Sequence, residues 1–105
     1  MIVEVPLPLA QLPGAPTAGQ VREALAAAYA GSALVRVASA EESVAASTIE
    51  AEALAGQDHM LLHVFGHDGQ ARLVAQFDNL GKGASGAAVQ NLNLMLGREE
   101  TLGLR

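Results

Sequence analysis

Residues 60–78, MLLHVFGHDGQARLVAQFD, contain two apolar, β-branched runs, and the way they are joined decides the fold. Met60–Phe65 and Ala71–Asp78 read as strands. The intervening Gly66-His67-Asp68-Gly69-Gln70 is a five-residue, glycine-bearing connection of hairpin length, so the strands should pair antiparallel. Alternation along the first strand puts Met60, Leu62 and Val64 on one face and Leu61, His63 and Phe65 on the other, and neither face is plainly polar. A strand apolar on both sides needs cover on both sides. Helices can supply one cover, and a partner subunit or domain is expected to supply the other.

Working outward toward the amino end, Met1–Pro6 (MIVEVP) reads as a strand that Pro6 and Pro8 confine to an edge or a strand end, because proline offers no ladder N–H. Leu9–Pro16 is turn material, with Pro13, Gly14 and Pro16. Thr17 and Gln20 form a capping box, in which hydroxyl and amide satisfy each other's backbone donors. The helix it opens should run to about Ala30, with Val21, Leu25, Ala28 and Tyr29 at helical spacing on the sheet side, Arg22 and Glu23 pointing away and Gly31 as the stop. Ala33–Ala38 (ALVRVA) is a second strand. Residues 39–57 are alanine-rich and polar, with Glu41, Glu42, Glu50 and Glu52, and predict a surface excursion with one helical turn or strand near Thr48–Leu54.

Toward the carboxyl end, residues 77–97 (FDNLGKGASGAAVQNLNLMLG) leave a strand, cross glycines at 81, 83 and 86, and continue as a helix with Val89, Leu92, Met95 and Leu96 as apolar positions. The order of elements indicates an α+β single domain over residues 1–105. Its mixed, largely antiparallel sheet has helices packed on one face and ends in a long helix.

Composition narrows the function classes. A chain of 105 residues is one domain or a piece of a larger one, with a radius of gyration of about 13 Å if compact. Half the residues are apolar but only 3% are aromatic, so the core is built from small aliphatics. A net charge of −5 with six Lys and Arg argues against a nucleic-acid surface, which needs clustered cations to displace phosphate counterions. No apolar run is long enough to cross a bilayer, and Met1 leads into a strand instead of a basic signal region, so a cytoplasmic protein is expected. With no cysteine, the chain offers no disulfide, thiolate metal site or cysteine nucleophile.

Three constellations could carry chemistry. Gly81-Lys82-Gly83-Ala84-Ser85-Gly86 fits GxGxxG between a strand and a helix, where backbone N–H groups can meet an anion. A dinucleotide site also needs a second parallel strand ending in an acidic residue about twenty positions on, and residues 87–105 leave no room for it. No GK[ST] follows, so a P-loop is excluded as well. The other reading is a packing corner where glycine permits positive φ and close approach. His59, His63 and His67 lie four apart on a strand and its turn, which puts neighbours about 13 Å apart, too far to share a metal. His63 should face a packed or interface surface, with nothing local to activate it as an acid or base. The acidic set Glu41, Glu42, Glu50, Glu52, Glu99 and Glu100 lies in polar segments, with no apolar pocket to split pKa values, and reads as solvated surface.

The residues also carry a resemblance. Asp78-Asn79-Leu80, Lys82-Gly83-Ala84, Gly86 and the run from Ala88 to Gly97, followed by Glu100-Thr101 and Gly103-Leu104, resemble the carboxy-terminal signature of N-acetyl-γ-glutamyl-phosphate reductases. Met1–Leu7 and Ala15–Val37, including Tyr29-Ala30-Gly31 and Val35-Arg36-Val37, are similar to segments upstream of it. The resemblance implies the substrate and dimerisation domain of an NADPH-dependent enzyme of arginine biosynthesis that reduces N-acetyl-glutamyl 5-phosphate to its semialdehyde. It implies as partners the enzyme's own amino-terminal nucleotide-binding domain, that acyl phosphate, and further copies joined through the sheet. Related dehydrogenases use the asparagine of the Asp-Asn pair on the nicotinamide carboxamide, so Asn79, Lys82 and Gly83 are the expected cofactor-side residues. Gln90, Asn91 and Asn93 are expected to bond between domains. The family's chemistry uses a cysteine thiolate, so no catalytic residue and no metal ligand is expected here, and the chain alone should be inactive. Alternatives are a non-catalytic association domain, or a fragment of an aspartate-semialdehyde-dehydrogenase-like enzyme.

Overall fold

The computed structural model describes residues 1–67 and 69–105. In chain order the elements are β1 (Ile2–Pro8), a 3-10 turn at Leu9–Gln11, α1 (Ala18–Ala28), β2 (Val35–Val37), α2 (Ala40–Ala45), β3 (Met60–His67), β4 (Gln70–Phe77), a π-helical turn at Gly81–Ser85 and α3 (Gly86–Met95). The sheet order is β1-β4-β3-β2, with β4 antiparallel to both neighbours and β2 parallel to β3. This is the expected α+β layer with its mixed, largely antiparallel sheet. The strands run further than the sequence suggests, with the ladder reaching the pair His67–Gln70. Asp68, part of the predicted five-residue link, lies outside the described residues.

Proline placement explains why β1 tolerates two of them. Met1 and Phe77 exchange backbone hydrogen bonds, so residues 3, 5 and 7 also bond toward β4 while 2, 4, 6 and 8 face outward. Pro6 and Pro8 therefore sit where no partner asks for an N–H, and they blunt that edge against further pairing.

Two faces follow from the register. Leu62 and Val64 share one with Leu73, Ala75, Val3, Val5 and Leu7. On it α1 lays Ala18, Val21 and Leu25 over a core of Leu9, Val64 and Ala71, and Arg22 Nη2 donates to the Val64 carbonyl at 2.8 Å. The Thr17–Gln20 capping box is present with both bonds. Tyr29, expected on the packed side, is instead the C-cap residue and 40% exposed, because the helix ends at Ala28 and Gly31 turns the chain with φ +82°. Val3 and Val5 border a cavity beside Leu25 of α1 and stay open to solvent.

The opposite face carries His63, Val74 and Gln76. The chain from α2 onward crosses it: Ser43 meets His63, and Gln76 Nε2 donates to the Glu50 carbonyl. The helix in this segment is α2 at Ala40–Ala45, and the turn expected near Thr48–Leu54 is not helical. Ser39 and Glu42 make the second capping box, and Arg36 grips Glu42 with 2.8 and 2.9 Å bonds, so Glu42, read as solvated surface, has structural work.

Helix α3 projects from one end of the sheet, and the chain is accordingly elongated, 43 × 28 × 21 Å with a radius of gyration of 15.0 Å. Its apolar positions do not reach the core: Leu92, Met95 and Leu96 are 53%, 83% and 63% exposed.

Candidate functional site

The candidate site is the corner where β4 gives way to the last helix, and Asp78 organises it. One carboxylate oxygen accepts from Leu80 N–H at 3.0 Å and the other from Gly56 N–H at 2.8 Å, while the Asp78 carbonyl accepts from Gly83 N–H at 2.9 Å. The N–H groups of Leu80 and then Gly56 hold this carboxyl below its ordinary range, since hydrogen bonding to the charged form favours it. A carboxylate at the first N–H groups of a helix is also favourably placed against the helix dipole.

The glycines serve approach and not unusual dihedrals. Gly81, Gly83 and Gly86 are all helical, with none in the positive-φ region the sequence had suggested. A Cβ on Gly81 would stand 2.7 Å from the Gln57 carbonyl oxygen. On Gly86 it would stand 2.0 Å from Asp58 Oδ1 and 2.8 Å from the Gly81 carbonyl oxygen. The bare backbone thus lets the helix lie directly on residues 57–58. Asp58 in turn brackets the carboxyl end, donating its N–H to the Arg105 carbonyl at 2.8 Å and accepting from Arg105 N–H at 2.9 Å.

Because the helical path already begins at Gly81, the N–H groups expected to face an anion are occupied. Gly83 bonds to Asp78, Ser85 to Leu80 and Gly86 to Gly81. Asn79 is different. It is exposed, and among the described residues its side-chain amide makes no hydrogen bond. A Cβ on Gly83 would stand 3.4 Å from Asn79 Oδ1 and 3.0 Å from the Phe77 ring, so glycine there leaves the amide its space. Lys82, the third predicted residue, directs Nζ to Gln90 Oε1, and Gln90 Nε2 continues to Glu100 Oε1 at 2.7 Å.

Gln90 and Asn93 bind this chain's own tail. Asn93 is buried and donates to the carbonyls of Glu100 and Leu102 at 3.1 and 2.9 Å, while Asn91 is exposed. The signal for Asn93 was available: an amide among the leucines of a helix calls for partners.

Elsewhere the chemistry is sparse. Ser43 Oγ and His63 Nδ1 are 3.2 Å apart, but both residues are buried, so a substrate has no approach. Burial pushes the His63 imidazole below its ordinary pKa, against the pull of Glu42 and with the push of Arg36. A cavity of about 530 Å³ lies between the end of α1 and β2, lined by Tyr29, Ser32, Arg36, Leu54 and His59 with no nucleophile bonded to a base. Among the described residues no three His, Asp or Glu side chains cluster to hold a metal, and no helix is long and apolar enough to cross a membrane.

No protein-family model matches the chain. It does match the N-acetyl-gamma-glutamyl-phosphate reductase of Brucella anthropi, 56% identical over 100 residues that make up 93% of this chain and 32% of the relative. The enzymes of that name from Brucella ovis and Brucella canis are each 55% identical over the same shares. The chain therefore spans about a third of the length of these relatives, which are oxidoreductases by name. Across nearly all of its length, the helix-starting corner at Asp78 and Asn79 included, it is similar to the carboxy-terminal third of N-acetyl-gamma-glutamyl-phosphate reductases.

Proposed function

We propose that this chain is the carboxy-terminal part of an NADPH-dependent reductase that converts N-acetyl-glutamyl 5-phosphate to the 5-semialdehyde, in the cytoplasm. The observation that carries the reading is 56% identity over 93% of the chain to an enzyme of that name.

The residues at the corner fit one end of the cofactor and not the other. The free amide of Asn79 supplies both a donor and an acceptor, as a nicotinamide carboxamide requires, and so suits holding one ring face toward the substrate. Gly83 keeps the space beside that amide open, and Lys82 adds a cation to the same helix start. With Asp78 on the first N–H groups, the corner suits the neutral nicotinamide end better than the phosphates, which fall to a separate nucleotide-binding domain. NADPH supplies the hydride. A cysteine thiolate that takes the acyl group must also come from outside this chain, which has none. The exposed Leu92, Met95 and Leu96 suit docking of α3 on the nucleotide-binding domain, and the strip at Val3 and Val5 suits association with a second copy.

The test joins this chain to the amino-terminal two thirds of a relative and follows NADPH oxidation with the acyl phosphate. The isolated chain should show none. In the joined protein Asn79→Ala should leave NADPH binding intact and slow turnover about 10²-fold, the scale of a misplaced reacting group. Unchanged turnover would refute the role given to Asn79.

A further inference from the structure

We infer that Asp78 is a positioning residue whose carboxylate fixes the turn that presents the Asn79 amide, by tying that turn to the loop at Gly56. The inference rests on the reading of Asn79 given above and adds to it a residue that need not touch cofactor or substrate.

The geometry concentrates three hydrogen bonds on one residue. The bond from Leu80 N–H to Asp78 Oδ1 closes a short turn around Asn79, and the bond from Gly83 N–H to the Asp78 carbonyl closes a wider one around the same residue. Asn79 is thus held from both sides while its own side chain stays uncommitted. A cap of this kind, however, secures only the local shape. The third bond, Gly56 N–H to Asp78 Oδ2 at 2.8 Å, reaches 22 positions back and fixes the turn against the body of the domain. Gly56 lies next to Gln57 and Asp58, on which Gly81 and Gly86 rest, so the loop that receives the carboxylate also supports the helix. Loss of the carboxylate would free the turn to rotate about the end of β4. An amide displaced by about 1 Å is enough to lower hydride transfer by orders of magnitude.

A plain stabilising role makes different predictions, and a double-mutant cycle in the joined protein separates them. Asp78→Ala should lower kcat about 10- to 100-fold per folded molecule, with KM for the acyl phosphate and for NADPH changed less than about twofold. Asp78→Ser keeps an acceptor for Leu80 N–H but is too short to hold Gly56 as well, so it should fold readily and fall between wild type and Asp78→Ala. Asp78→Ala combined with Asn79→Ala should be no slower than Asn79→Ala alone, because residues acting as a unit are non-additive. Additive losses, or a lowered Tm with kcat per folded molecule unchanged, would overturn the inference while leaving Asn79 its role. If Asn79→Ala itself turned over normally, the reading beneath would fail, and this one with it.

Discussion

Alanine at Gly86 sets two effects of known sign against each other. Within a helix, alanine is favoured over glycine by about 1 kcal/mol, so on propensity alone the change should stabilise. The added Cβ would stand 2.0 Å from Asp58 Oδ1 and 2.8 Å from the Gly81 carbonyl oxygen. The first contact can be relieved by swinging the carboxylate, at the expense of its bond to Arg105 N–H; the second is backbone and cannot move without opening the π-helical turn. Overpacking of this kind costs about 1–3 kcal/mol, and since both contacts must give, the upper half of that range applies. The net expectation is a loss of about 1–2 kcal/mol. With an unfolding entropy near 2.1 cal/mol/K per residue, that lowers Tm by about 5–9 °C. Gly19→Ala is the control: it sits in the first turn of α1, where the added Cβ would meet only Thr17 Oγ1 at 3.7 Å, and there propensity should win and raise Tm. Thermal unfolding followed by circular dichroism reads both. If Gly86→Ala were as stable as wild type, close approach would not be the reason for glycine at this corner.

Two further outcomes are expected of the same chain. Leu9, only 2% exposed at the centre of the core under α1, should cost about 2–5 kcal/mol as Leu9→Ala in urea unfolding, whereas a residue of an ordinary surface turn would cost almost nothing. His63 has a folded pKa below its unfolded value, so the unfolded chain binds the extra proton first as pH falls. Stability should therefore be flat above about pH 7 and decline as pH drops through about 6.5 and below. In His63→Gln the part of that decline above about pH 5 should be missing, while carboxylates held low in the fold, Asp78 among them, still weaken both proteins in stronger acid, and an identical pH profile for the two would refute the assignment.

Strand alternation and the first helix cap are legible within a few residues, whereas constraints that span the chain are not. The hairpin of β3 and β4 and the Thr17–Gln20 helix start are local matters of alternation and capping. The same capping signature stands at Ser39 and Glu42, so α2 could have been found; alanine-rich polarity around it concealed the helix. Leu9 sits among prolines and glycines that signal a turn, and the turn is present, yet nothing nearby shows that α1 folds back over it. Of the two reasons for glycine at 81, 83 and 86, close approach holds and positive φ does not. Their constraint comes from residues 57 and 58, which only the folded chain brings to them. Asn79 was singled out from resemblance, while the importance of Asp78 depends on a partner at Gly56 that no spacing rule connects to it.

The last helix reverses the usual amphipathic arrangement. Its polar Gln90 and Asn93 face its own chain and hold the tail by hydrogen bonds, while Leu92, Met95 and Leu96 face outward. A helix gains little net stability from such bonds, about 1 kcal/mol each, against about 1.5–3 kcal/mol for each large apolar side chain it could bury. Held this way, α3 keeps its direction without spending its apolar surface, and on the proposed reading that surface is left for docking on the rest of a longer enzyme. The Asp78 corner lies at the root of the same helix. On the proposed reading, docking of α3 and presentation of Asn79 become one mechanical problem, and the glycines that seat the helix on residues 57–58 serve both.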